Sequence, residues 1–134
     1  MEHWHEVRDR LREFALRLPE AYEEHPWGET VVKVNKKIFV FLGPDEPADT
    51  WRPQFSVKLR QSHGHALSVP GAVPTSHNLG RSGWVTVPLA AAEHAGHGGH
   101  AGHGVDLLLD WVDESYRTIA PKRLVALLDT DGPA

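Results

Sequence analysis

The segment at residues 24–41 constrains the fold of this chain most strongly, because it joins a tight turn to a two-stranded hairpin. The turn is Pro-Trp-Gly at residues 26–28, where proline restricts the backbone and glycine permits a positive φ. After it, residues alternate with the two-residue period of a β-strand, so that Phe39 is predicted to face away from Val40. Asn-Lys-Lys at residues 35–37 interrupts the alternation, and we predict the tip of the hairpin there.

The other periodic segments predict helices before and after this hairpin. Apolar residues recur every three or four positions from Trp4 to Leu18 and from Val105 to Ile119, as on helices with one buried face. Pro121 suits the first turn of a final helix. Shorter patterns predict strands at residues 54–60, 73–77 and 84–87, and a short helix at residues 61–68. These elements predict an α+β fold in which helices cover one face of an antiparallel sheet.

Three motifs in the chain are similar to those of a known family. They are EHPWGETVVKVNKKIFVF at residues 24–41, GWVTV at residues 83–87, and ESYR with APKRL between residues 114 and 124. On these motifs the chain resembles the MmcQ/YjbR family of small bacterial proteins, from about Val7 to Leu128. The resemblance implies a CyaY-like fold with two hairpin wings, and a DNA-binding function assigned to the family by structural analogy. We also expect Trp84, which opens the strand in the second motif, to be buried.

Length and composition are those of one globular domain. The chain has 134 residues, of which 40% are hydrophobic and 24% are charged, and we expect a single domain over residues 1–134. Cysteine is absent, which excludes disulfides, thiolate nucleophiles and cysteine-based zinc sites. No apolar run of membrane-spanning length and no leader sequence is recognisable. We therefore expect a cytoplasmic protein that has no membrane partner.

Charge is segregated along the chain, although the net charge is only -4. Residues 31–88 hold seven basic and three acidic groups, whereas the segments before and after them are acidic. Basic groups on hairpins can contact phosphates without reading base sequence. We predict weak, non-specific DNA binding through Lys33, Lys36, Lys37, Lys58, Arg60 and Arg81. The alternative is that these are solvated charges that protect the sheet edges from aggregation.

A His- and Gly-rich insertion at residues 94–104 is where the chain departs from the pattern of the family it resembles. It contains His94, His97, His100 and His103, and imidazole is a good ligand for Zn, Ni and Cu. Because the glycines leave these ligands unorganised, a flexible linker with weak metal binding at most is the preferred interpretation. We expect no other cofactor.

A second metal hypothesis concerns the first predicted helix. Its acidic residues Glu2, Glu6, Asp9 and Glu13 share one face, and frataxin, which has a similar fold, uses acidic residues on its first helix for iron. Arg10 and Arg17 follow Glu6 and Glu13 by four residues, a spacing that predicts ion pairs within the helix. A solvated helix face is therefore the preferred interpretation.

Catalytic motifs are scarce in the sequence. No phosphate-binding loop and no nucleophile elbow is present. His25 could act as a base if it were buried beside a carboxylate, but a histidine before proline in a turn usually lies at the surface. We therefore expect a non-enzymatic binding protein. A polar pocket that includes His25 or Glu29 would instead favour an enzyme or a small-ligand protein.

Overall fold

The structure is a computed structural model that describes residues 3–44, 53–76, 78–90 and 103–130. Its helices are α1 (His3–Leu16), α2 (His63–Leu67), α3 (His103–Ile119) and α4 (Lys122–Thr130). Its strands are β1 (Tyr22–Glu24), β2 (Glu29–Val34), β3 (Lys37–Pro44), β4 (Gln54–Lys58), β5 (Val73–Pro74) and β6 (Trp84–Pro88). Turns of 3-10 helix occur at Pro26–Gly28 and Leu79–Ser82. The predicted α+β class is confirmed. Within the described ranges, no helix is long and apolar enough to cross a membrane.

The strands of the described residues form one antiparallel sheet in the order β1-β2-β3-β4-β6-β5. The β2–β3 hairpin turns at one end of this sheet. Strand β3 runs away from that end, β4 returns to it, and Lys58 at the end of β4 pairs with Trp84 at the start of β6. The turn between β5 and β6 therefore lies at the same end as the first hairpin. We call this end of the sheet, with residues 35–37, 58–60, 75–76 and 78–83, the tip end.

The first hairpin closes with a two-residue turn. Asn35 and Lys36 have φ angles of 53° and 67°, and a type I′ turn requires positive φ at both of its central residues. Lys37 is already the first residue of β3. The tip is therefore at the predicted place, but it is one residue shorter than predicted.

The helices cover one face of the sheet, as predicted. This face presents Val32, Val34, Val40, Leu42, Phe55, Val57, Val85 and Val87 to the core. Helices α1 and α3 supply Leu11, Ala15, Leu108, Trp111, Val112 and Tyr116 to the same cluster. Burial of each large apolar side chain of this kind contributes about 1.5–3 kcal/mol. The helical stripes predicted from the apolar spacing are therefore the faces that pack on the sheet.

The predicted alternation of side chains along β3 is wrong at Phe39, because the strand contains a β-bulge there. The pairing changes from Val32 opposite Val40 to Lys33 opposite Ile38, so Phe39 is the extra residue on β3. In such a bulge two successive side chains can point to the same face. Phe39 and Val40 both belong to the core cluster, and the Phe39 ring packs edge-on against Tyr116 with centroids 5.2 Å apart.

Strand β1 was not predicted. It has three residues, it pairs with β2 at the edge of the sheet, and its Tyr22 side chain is exposed. A strand this short shows no usable alternation in sequence, so its pairing with β2 is what defines it.

The opposite face of the sheet also buries side chains. Phe41, Ser56 and Thr86 are cross-strand neighbours that form one row across β3, β4 and β6. Trp84 lies two residues before Thr86 on β6, is 6% exposed, and packs against Phe41 with ring centroids 5.2 Å apart. The predicted burial of Trp84 is confirmed, although it lies outside the main core cluster.

Candidate nucleic-acid interface

The tip end gathers four exposed basic side chains from three separate segments. Lys36 and Lys37 lie at the first hairpin, Arg60 follows β4, and Arg81 lies in the 3-10 turn between β5 and β6. Among the residues that the structure describes, none of these four side chains has a hydrogen-bond or ion-pair partner. The antiparallel pairing thus brings together charges that are up to 45 positions apart in the chain.

The other two predicted site residues are less accessible. Lys33 Nζ donates to Glu24 Oε1 at 2.9 Å, and this hydrogen bond is the main reason that the pKa of Lys33 is raised. Glu24 belongs to β1, the strand that was not predicted, so the sequence could not indicate this pair. Lys58 is half-buried on β4, where Trp84 is its cross-strand neighbour. Lys33 and Lys58 are therefore peripheral to the exposed basic group.

Gly83 fixes the second turn against the end of β4. Its φ is +95°, and a Cβ added there would lie 3.0 Å from the carbonyl oxygen of Leu59. The Gly83 carbonyl in turn accepts a hydrogen bond from the Leu59 N–H at 3.0 Å. A side chain at this position would be strained by its backbone conformation and crowded by Leu59. Glycine therefore allows the turn that carries Arg81 to lie close to β4.

The ESYR motif on α3 stabilises the backbone of the tip end. Glu114 Oε2 accepts the backbone N–H groups of Arg60 and Gln61 at 2.9 Å each and that of Ser62 at 3.1 Å. Glu114 Oε1 accepts the Ser62 hydroxyl at 2.7 Å. Tyr116 Oη donates to the Pro19 carbonyl at 2.7 Å, and so links α3 to the end of the α1 segment. The motif is thus structural, because its polar atoms satisfy backbone groups far away in the sequence.

Ser115 completes the pairing of β3 with β4. The paired positions end at Val40 opposite Val57, and the next pair in that register would be Phe39 opposite Lys58. Instead, Ser115 Oγ accepts the Lys58 N–H at 2.9 Å and donates to the Phe39 carbonyl at 2.5 Å. The fully buried hydroxyl thus replaces a direct backbone hydrogen bond between the two strands.

The pKa of Glu114 provides a test of the motif. Burial of this carboxyl group acts to raise its pKa, but the hydrogen bonds from Ser62, Arg60 and Gln61 together outweigh burial and lower it from the ordinary 4.5. A lowered folded-state pKa stabilises the fold above the unfolded-state pKa, and this stabilisation is lost as pH falls through the folded-state value. We expect Glu114→Gln to lower the free energy of unfolding by about 1–3 kcal/mol at neutral pH, as for hydrogen bonds to a charged group.

Urea denaturation of both proteins at neutral pH and at successively lower pH would measure this difference. It should shrink below pH 4.5, the ordinary value for glutamate, as the wild-type carboxylate is protonated. Glu13→Gln is the matched control, because Glu13 is exposed on α1 and its carboxylate makes no hydrogen bond or ion pair with another described residue. A pH-independent difference between wild type and Glu114→Gln would contradict a role for the Glu114 charge.

The His25 side chain contacts one polar side chain of β1 and one of β2. Its Nε2 is 2.8 Å from Glu23 Oε2, and its Nδ1 is 3.3 Å from Thr30 Oγ1. Glu23 also accepts hydrogen bonds from the Arg12 guanidinium, which is the largest reason that the pKa of Glu23 is lowered. The His25 side chain is 49% exposed. The condition set for a catalytic base, burial beside a carboxylate, is therefore not met at His25.

The structure describes three of the four residues on the predicted acidic face of α1, since Glu2 lies outside the described residues. Glu6, Asp9 and Glu13 are all exposed. The predicted ion pairs of Glu6 and Glu13 with the arginines four residues later do not form among the described residues.

The histidines of the insertion fall mostly outside the described ranges. His94, His97 and His100 lie there, and of His103 the structure gives only its place at the start of α3. Within the described residues, no group of three or more His, Asp or Glu side chains is arranged to hold a metal ion. Metal binding by the insertion stays a prediction.

Comparison with known proteins identifies the family. A family model described as YjbR matches residues 16–118. A similar solved structure is the crystal structure of a protein from Pseudomonas syringae, with a TM-score of 0.56 and 18% sequence identity. The similarity covers 83% of this chain and 97% of that protein, and at this identity it supports the fold alone. No curated protein matches the chain. Since the family model covers more than half of the sequence and the motifs lie where the fold requires them, the chain belongs to the YjbR family.

Proposed function

We propose that this protein binds DNA weakly and without sequence preference through the tip end of its sheet. The observation that carries the proposal is the convergence of Lys36, Lys37, Arg60 and Arg81 at one end of one sheet, each exposed and without a partner among the described residues. Lysine and arginine contacts of this kind neutralise phosphates and position a protein on the DNA backbone.

The distribution of the other charges supports the same surface. Arg117 and Arg123 are paired with carboxylates, so they add little to a field that would attract DNA. On α3, partial burial raises the pKa of Asp110 most, and the neighbouring carboxylates of Asp113 and Asp106 raise it further. We therefore expect a polyanion to approach the hairpins rather than α3.

Salt dependence gives a quantitative test of this proposal. If the four cations neutralise about four phosphates, log affinity for duplex DNA should fall with log salt with a slope of about -3.6. The double variant with Lys36→Glu and Lys37→Glu reverses two of these charges. It should weaken binding and flatten the slope to about -1.8. Fluorescence anisotropy with a labelled duplex, from about 50 mM salt upward, would measure both quantities.

A double variant on α1 provides the matched control. Arg10→Glu with Arg17→Glu makes the same change in net charge at two exposed arginines that have no partner among the described residues. It should leave the slope nearly unchanged, because these side chains lie in the helix layer. Equal losses in both double variants would show a general charge effect. No binding by the wild type at about 50 mM salt would remove DNA as a partner.

A further inference from the structure

A cavity of about 230 Å³ lies on the face of the sheet away from the helices. Its floor includes the row of neighbours Phe41, Ser56 and Thr86, and the segment after β5 adds Thr75 and Leu79. None of the four exposed cations at the tip end is among its lining residues. The cavity therefore excludes the four cations of the proposed DNA-binding surface, although Thr75 and Leu79, which line it, belong to the tip end.

Three hydroxyl groups meet in this cavity. Thr86 Oγ1 lies 2.8 Å from Ser56 Oγ and 3.0 Å from Thr75 Oγ1. Ser56 and Thr86 are each only 8% exposed, so these groups are held in place by their surroundings. Three hydroxyls carry three protons, and the two hydrogen bonds between them use two. One O–H group and several lone pairs are left over for a bound molecule.

Glu29 supplies the only charge among the described residues that line the cavity. Its carboxylate makes no hydrogen bond or ion pair with another described residue. A carboxylate that lines the same cavity as these hydroxyl groups, with no cation among the other described lining residues, favours a ligand that brings a positive charge and hydrogen-bond donors. Phe41 and Leu79 add apolar surface for a short carbon chain, and Phe41 is itself held by Trp84.

We propose that this cavity binds a small aliphatic amine that also carries a hydroxyl group. The ammonium group pairs with Glu29, the hydroxyl group hydrogen-bonds with the Ser56, Thr86 and Thr75 hydroxyls, and the carbon chain lies against Phe41 and Leu79. The cavity corresponds to about seven or eight water volumes, at roughly 30 Å³ for each. It is thus smaller than the pockets of about 300–1,000 Å³ that hold drug-sized ligands, which favours a small molecule.

Three probe molecules of nearly equal size separate the contribution of the ammonium group from those of the hydroxyl group and the carbon chain. The probes are 4-amino-1-butanol, its uncharged counterpart 1,4-butanediol and the anion 4-hydroxybutyrate. In a two-dimensional amide NMR titration, 4-amino-1-butanol should cause saturable shifts at Ser56, Thr75 and Thr86. The diol should bind about tenfold more weakly, because it lacks the charge-assisted hydrogen bond to Glu29, and the anion should not bind at this site.

Two variants test the assignment of the contacts. Glu29→Gln should weaken binding of the amine about tenfold and should remove the preference for the amine over the diol. Thr86→Val should weaken binding of the amine and of the diol by the same factor. The amide spectrum shows whether this variant is folded. The control Glu13→Gln should have no effect, because Glu13 lies on α1.

Three outcomes would overturn the proposal. They are equal binding of all three probes, retention of the amine preference in Glu29→Gln, and shifts confined to residues outside the cavity. If none of the three probes bound at its highest soluble concentration, the proposal would also be overturned. None of these results bears on the salt-dependent DNA titration, so the two proposals fail independently.

Discussion

Replacing Trp84 with alanine should lower the free energy of unfolding by about 3–5 kcal/mol, as truncation of a buried aromatic side chain does. Trp84 is 6% exposed, and its ring lies edge-on to Phe41 with centroids 5.2 Å apart. Truncation would leave a void beside Phe41 and would remove an aromatic pair that is itself worth about 0.5–1.5 kcal/mol. Because Phe41 also lines the cavity, we expect the variant to lose the shape of that site as well.

Urea or guanidinium denaturation would measure this loss. Tyr22→Ala is the matched control, since Tyr22 is an aromatic residue on the edge strand β1 and is 37% exposed. The control should cost less than about 1 kcal/mol, as substitutions at exposed sites usually do. A similarly small loss for Trp84→Ala would show that this face of the sheet contributes little to stability.

Replacing Ser115 with alanine should lower the free energy of unfolding by about 3 kcal/mol, because one buried and one partly buried backbone group lose their partner at once. These groups are the Lys58 N–H and the Phe39 carbonyl, which the Ser115 hydroxyl joins at 2.9 and 2.5 Å. Each buried polar group that is left unsatisfied costs about 1–3 kcal/mol. Amide hydrogen exchange should locate the defect, since the Lys58 N–H should exchange faster in the variant than in the wild type.

Ser68→Ala is the control for Ser115→Ala. Ser68 also donates its hydroxyl to a carbonyl, that of His65 at 2.6 Å, but it is exposed, so water can replace it. We expect this control to change stability by less than about 0.5 kcal/mol. An equally small loss of stability in Ser115→Ala would mean that the Lys58 N–H donates directly to the Phe39 carbonyl in the variant. The Ser115 hydroxyl would then not be needed for stability.

Much of the candidate interface could be predicted from the sequence. Lys36, Lys37 and Arg81 were identified from their charge at hairpin tips and Arg60 from its charge on a strand, and all four are exposed. Lys33 was identified in the same way, but its pairing with Glu24 depends on the contact between β1 and β2. A three-residue edge strand has no periodic pattern of its own, so no signal in the sequence indicated that contact.

The hydrogen bonds of the ESYR motif could not be predicted either. The motif stood out as a family signature, but the partners of Glu114 lie 52–54 positions earlier in the chain, and Phe39 is 76 positions from Ser115. Such contacts depend on where a helix crosses the sheet. The cavity shows the same limit: Glu29 was named as a possible pocket residue, whereas the three hydroxyl groups that line the cavity with it come from three other strands or turns.

The sequence by itself determined the α+β class, the approximate positions of most helices and strands, and the face of each helix that is buried. It could do so because a side chain's distance from solvent repeats every two residues on a strand and every 3.6 on a helix. Only the tertiary structure decided that two distant turns share one end of the sheet, and that the bulge at Phe39 places two successive side chains in the core. These features depend on pairing and packing between segments far apart in the chain, and a local pattern cannot specify them.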